Sequence, residues 1–202
     1  SRCRPIVSFA RAPHRRQLEL CARAFYFIIR AVRDKHFTLW TAHDVRTPVL
    51  EATRLLRESS WTTDDAEIVA VASDIKDMYS NLGHEAIMDA VTWSISTFRR
   101  QFRRDRVNVQ RRGQPKGRTG PTYDTTLRVE IQCDSLVRYI SGLLPTCFFT
   151  CGSSTLQQRL GIPMGSHISP PLAIVTCMFF ECKFIQQSTS VQRPLCGLRY
   201  MD

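Results

Sequence analysis

Thirteen positions, Gly161 to Ala173, constrain this chain more than any others: Gly-Ile-Pro-Met-Gly-Ser-His-Ile-Ser-Pro-Pro-Leu-Ala. Two glycines can turn the backbone through positive φ or let another backbone approach closely, and Pro163 between them stiffens the turn. Ser169-Pro170 then reads as a helix start, serine as N-cap and proline at the first helical position. Leu172, Val175, Cys177, Phe179 and Phe180 supply an apolar continuation. A tight glycine-bearing loop that feeds a buried helix gives a flat ligand a place to lie against backbone. Taken alone, the same stretch reads first as a turn.

The rest of the chain supplies an α+β framework. Apolar residues at three- and four-residue steps predict helices over 17–32 (Leu18, Cys21, Ala22, Phe25, Ile28, Ile29) and 84–98 (Ile87, Val91, Ile95, Phe98). A shorter helix is expected over 48–58, with Thr47 as N-cap, and another in the later part of 127–144. Residues 68–74 read as the clearest strand, with Ala70, Ala72 and Asp74 on one face. Residues 2–8 suit an edge strand, 147–160 a small hairpin about Gly152, and 197–202 a final strand ending in Asp202.

Charge is concentrated. The net charge is +10, and residues 99–118 hold nine Lys/Arg against the one acid Asp105, so +8 of it sits in twenty positions. Such a segment suits a polyanionic partner; its Gly113, Pro115, Gly117 and Gly120 predict a disordered loop or insertion. The eight cysteines form no CxxC pair, which argues against zinc and for reduced thiols of an intracellular protein. No apolar run is long enough to cross a membrane, so no membrane partner is expected.

Two expected strands each end in a carboxylate, Asp74 and Asp202. Either one alone reads as a turn residue. Together they have the form needed to hold two hard cations that stabilise the entering and leaving oxygens of phosphoryl transfer. The surrounding residues narrow this. Asp74-Ile75-Lys76-Asp77-Met78-Tyr79 resembles the first catalytic motif of reverse transcriptases, D-x-x-x-x-[FY]. Gly161-x-Pro-Met-Gly-Ser-x-x-Ser-Pro170 is similar to their second, and Tyr200-Met201-Asp202 to the start of Y-x-D-D. Within that superfamily the Penelope-like retroelement enzymes are the nearest in pattern: Arg4-Pro5-Ile6-Val7-Ser8 resembles their fingers motif, Asp74 to Leu82 their first, and Gln158-x-x-Gly161-x-x-Met164-Gly-Ser-x-x-Ser169-Pro their second. The likeness covers about the whole chain except 99–126; Ala70, Ala72 and Leu82-Gly83-His84 depart from the pattern.

The resemblance implies a right-hand polymerase, with fingers and a palm whose antiparallel sheet is backed by helices, and with the thumb absent. Its parts would be a fingers-like 1–65, a first palm part 66–98, a basic insertion 99–126, and a fingers and palm part 127–202. It implies RNA-templated DNA synthesis, with Asp74 and Asp202 as catalytic residues and ligands of two Mg²⁺ ions (or Mn²⁺). Arg4, Asp77, Met78, Tyr79, Met164 and Gly165 would bind the deoxynucleoside triphosphate, Tyr79 excluding a 2′-hydroxyl. Ser166 would contact the RNA template. Apart from the resemblance, the charge of the basic segment suggests that Arg99, Arg100, Arg103 and Arg104 neutralise phosphates of an RNA template or a DNA primer. The implied location is intracellular and nuclear. The chain reads as a C-terminally truncated fragment, inactive by itself. The rival readings are a telomerase-like or group-II-intron-like reverse transcriptase and a catalytically inactive nucleic-acid-binding relic of a mobile element. A generic RNA-binding module leaves the three ordered motifs unexplained.

Overall fold

The computed structural model describes residues 8, 9, 12, 14–58, 71–112, 117–119, 126–188 and 197–200. The chain divides into two compact units, one of Ser1–Arg33 with Asp77–Phe179 and one of Asp34–Lys76 with Phe180–Asp202. Both helices and antiparallel strands are present, the α+β class expected.

In the first unit, α1 (Arg15–Ala31) and α4 (His84–Phe102) form where the apolar spacing predicts them. α1 buries Leu18, Phe25, Ile28 and Ile29, and α4 buries Ile87, Val91, Ile95 and Phe98. Such an apolar stripe, burying about 1.5–3 kcal/mol per large side chain, is what holds an amphipathic helix that water alone would leave marginal. Phe98 stands edge-on to Phe27 at 6.2 Å between centroids and lies 5.0 Å from Phe102. The Arg33 guanidinium caps the Phe102 ring at 5.3 Å. α5 (Cys133–Leu143) adds Leu136 and Ile140 to this core. α6 (Ser169–Ser188) adds Leu172, Val175 and Met178, with Phe179 5.7 Å from Trp93.

The basic segment corrects an expectation. It is not a disordered loop over its described length. After α4 ends at Arg103, which takes the left-handed conformation at φ 50°, the chain forms β1 (Arg106–Gln110), then β2 (Gly117–Arg118) and β3 (Arg128–Gln132). These make an antiparallel sheet in the order β2-β1-β3, with Val107 opposite Ile131 and Asn108 opposite Arg118. Val107 and Val109 are fully buried, and β1 lies against α1. Gly117 is one reason the sheet fits: a Cβ there would overlap the Phe27 ring. Two buried valines and a close glycine outweigh the surrounding charge, because the arginines of a strand can point to water while alternate residues do not. β4 (Phe148–Cys151) and β5 (Ser154–Gln157) form the expected hairpin, with Gly152 at φ 62° in its turn.

In the second unit a 3₁₀ turn (Ala42–Val45) leads into α2 (Arg46–Glu58). The Asp44 carboxylate accepts from the Thr41 N–H at 2.7 Å, so the helical stretch is capped at Thr41 and not, as expected, at Thr47. The apolar side of α2, with Ala52 and Leu55, lines an open cleft of 330 Å³ together with Phe37, Leu39 and Leu198. An ion pair ties the unit's two chain segments. Arg199 bonds Glu181 through Nε and Thr38 Oγ1 through Nη2, and the Phe37 N–H donates to Glu181 Oε2 at 3.0 Å. The backbone reinforces it: Leu39 N–H donates to the Arg199 carbonyl at 2.8 Å, and Arg199 N–H to that of Phe37 at 2.6 Å. Thr38 and Arg199 form one isolated parallel bridge, the described trace of the expected last strand. Residues 71–75 pair with no strand among the described residues, so Asp74 does not stand at the end of a sheet strand there. The other parts of the expected strands at 2–8, 68–74 and 197–202 lie outside the described residues.

The six described cysteines are all free thiols. Burial pushes Cys21 up to about 11, Cys133 to about 11 and Cys182 to about 12, so they stay protonated and behave as small apolar groups.

Candidate functional site

The first unit brings two of the sequence motifs into direct contact. The tail of the first, Asp77 to Leu82, forms a sharp turn and one short helix. Asp77 takes φ 52°, ψ 34°, a left-handed conformation adopted among the described non-glycine residues only here and at Arg103. Such strain, on the order of 1–3 kcal/mol, persists where the surroundings over-determine it. α3 (Met78–Asn81) follows, its Ser80 and Asn81 N–H groups donating to the Asp77 carbonyl at 3.1 and 3.2 Å.

Onto this turn docks the glycine loop. Gly161 N–H donates to the Leu82 carbonyl at 2.8 Å, and Ile162 N–H to that of Tyr79 at 2.6 Å. The Gly161 carbonyl accepts from His84 Nε2 at 3.0 Å, which places the proton of the bond on that nitrogen. Gly161 sits at φ 80°, and a Cβ on it would overlap the Tyr79 carbonyl oxygen and come within 2.7 Å of the Ser80 carbonyl. Glycine is required twice over, by conformation and by contact. The loop then closes on itself. Ser169 opens α6, but its hydroxyl donates back to the Pro163 carbonyl at 2.7 Å, so it does not serve as the expected N-cap through its side chain. Ile162, Pro163, Ser166, Ile168 and Ser169 are buried, and Gly165, at φ 98°, is exposed.

The expected site residues fall in different surroundings. Met78 and Tyr79 are half-buried, and the Cys177 thiol donates to Met78 Sδ at 3.6 Å. Met164 is half-buried beside Gly165. The Ser166 hydroxyl is buried with no hydrogen-bond partner among the described residues, a polar group whose satisfaction awaits something else. Asp74 is exposed and belongs to the second unit. Arg4 and Asp202 lie outside the described residues. Arg99 is taken up by carboxylates: its guanidinium pairs with Asp134 at 2.6 Å and with Asp105. The bond to Asp134 first, then that to Asp105, hold it protonated beyond its ordinary range against some loss of hydration. Arg100, Arg103 and Arg104 are exposed.

Among the described residues no three His, Cys, Asp or Glu side chains converge as a metal site. In the docked loops the Ser169 hydroxyl and His84 Nε2 each donate to a backbone carbonyl. Sequence reasoning misses His84 as part of them; its position two residues past the first motif is the one sequence signal.

Set against family models, curated proteins and solved structures, the chain matches none of them. Among the described residues no helix is long and apolar enough to cross a membrane.

Proposed function

We propose that this chain carries the fingers and palm of a retroelement reverse transcriptase of Penelope-like type, which adds deoxynucleotides to a primer on an RNA template. One observation carries the reading. Tyr79 of the first motif and Ile162 of the second are 83 positions apart, yet they are joined by backbone hydrogen bonding, with a glycine in the contact that no other residue can replace. Sequence likeness in two separate motifs does not require them to touch; a shared nucleotide site does.

In this reading the backbone at Asp77 and Met78 binds triphosphate oxygens, with Arg4 reaching them from the fingers. The Tyr79 ring lies under the sugar and excludes a 2′-hydroxyl. Met164 and Gly165 border the new base pair, and Ser166 meets the template. Asp74 and Asp202 are the ligands for Mg²⁺ or Mn²⁺: Asp74 is an exposed carboxylate of the hard oxygen type these ions take. When bound, the ions supply charge stabilisation to the entering and leaving oxygens. The intracellular, nuclear setting follows from the same reading.

The test is primer extension on an RNA template with Mg²⁺ and deoxynucleotides, by the protein that carries this chain and by its Asp74→Asn form. Asparagine keeps the shape and removes the charge, so extension should fall by about 100-fold or more with the melting curve unchanged. Equal extension by both forms, or none by the unaltered protein, would sink the proposal.

A further inference from the structure

The segment that departs from the reverse-transcriptase pattern is folded, and its folding sorts its charges. Every acidic side chain in the described part of 99–134 is already engaged: Asp105 and Asp134 by Arg99, and Glu130 by Arg106 at 2.7 Å. These acids lie at the start of β1 and in β3: Asp105 directly precedes β1, Asp134 follows β3, and Glu130 stands opposite Asn108. At the start of β1, Arg103 and Arg104 are exposed, set on the corner that the left-handed turn at Arg103 makes. At the far end, Arg112 is exposed, Arg111 Nε donates to the Arg128 carbonyl at 3.2 Å, and Arg128 Nη1 is buried with no partner among the described residues. The acidic side chains described in this segment are thus taken up by Arg99 and Arg106.

We infer that the β2-β1-β3 sheet is an accessory clamp for the nucleic-acid backbone, with Arg103 and Arg104 holding phosphates at one end of β1 and Arg112 and Arg128 at the other. The eight steps from Arg104 to Arg112 run through the five-residue strand β1 with bends at Asp105, Arg111 and Arg112, so they reach at most roughly 26 Å at about 3.3 Å per residue, under eight steps of about 3.4 Å along a nucleic-acid strand. Guanidinium groups pair with phosphate in bidentate fashion. The clamp is assigned to phosphates, contacts that position a protein on the duplex and carry no sequence information. The inference rests on the proposed function for the identity of the partner, an RNA–DNA hybrid.

Binding is measured by fluorescence anisotropy of a labelled RNA–DNA hybrid between 50 and 200 mM salt, with three proteins. The first is unaltered. The second carries Arg103→Gly, Arg104→Ala and Arg112→Ala; glycine preserves the left-handed cap. The third carries Arg106→Gln with Glu130→Gln, which removes this ion pair at no change of net charge. The triple variant should lose about 2–3 from the log–log salt slope, each phosphate contact contributing about 0.7–0.9, while the double variant keeps the slope. An unchanged slope in the triple variant, an equal loss in the double one, or binding to anionic vesicles without binding to the hybrid overturns the clamp. The readout needs no nucleotide addition. A protein that shows this slope but extends no primer sinks the polymerase reading alone, and one that extends primers with an unaltered slope in the triple variant sinks the clamp alone.

Discussion

Gly161→Ala tests the contact on which the functional reading stands. Alanine at φ 80° carries the left-handed penalty of about 1–2 kcal/mol. The added methyl meets backbone, the carbonyls of Tyr79 and Ser80, which cannot swing aside as a side chain would. The loop must withdraw, and three bonds go with it: Gly161 to Leu82, Ile162 to Tyr79, and His84 to Gly161. At about 1 kcal/mol net for each, the total loss is about 4–5 kcal/mol, a large part of the roughly 5–15 kcal/mol that holds a domain together. Urea unfolding should show the fall in midpoint, and amide exchange should show Ile162 losing protection before the α4 core does. Gly142→Ala is the comparison. Gly142 lies inside α5 with open space where its Cβ would go, so alanine should add about 0.5–1 kcal/mol. If Gly161→Ala unfolds within about 0.5 kcal/mol of the unaltered protein, the docking of the two motifs does not depend on this glycine and the reasoning fails.

Two further outcomes concern the second unit. Glu181→Ala should destabilise it by about 2–3 kcal/mol, below the full cost of breaking a buried pair because both side chains retain 13% exposure; a loss under about 0.5 kcal/mol in chemical unfolding would mean that water already satisfies Arg199. Acidification should weaken the same unit. Burial lowers the His36 pKa below its usual value, more than Glu181 and Asp34 raise it, and its Nδ1 accepts from the Thr38 N–H at 3.2 Å, which needs the neutral ring. A folded-state pKa below the unfolded one contributes stability that is complete above about pH 6.5 and is lost as pH falls through the folded value. Melting between pH 7.5 and 5 should show the decline, and His36→Asn should flatten it; a parallel decline in both would move the effect elsewhere.

The sequence determined the elements whose signal is local. The helices at α1 and α4 follow from apolar spacing alone, since Leu18, Phe25, Ile87 and Phe98 lie on single stripes that only one packing can bury. The β4–β5 hairpin follows from Gly152 between two short apolar runs. The motif residues were legible for the same reason: their chemistry is written in type and spacing. Tertiary structure decided what depends on partners distant in the chain. Residues 99–126 read as a disordered basic loop or insertion because charge and glycine dominate any local window. What folds them is burial of Val107 and Val109 against α1 and the fit of Gly117 beneath Phe27, a contact across 90 positions that no window contains. His84 reads as an ordinary helix-start residue until Gly161 arrives 77 positions later to offer its carbonyl. Arg99 counts as a template-binding charge in the sequence; that it also meets Asp134 of α5, 35 positions later, is visible only in the tertiary structure. Residue type and spacing set what each group can do; which partner it meets is set by the long-range packing that brings two backbones within hydrogen-bonding distance.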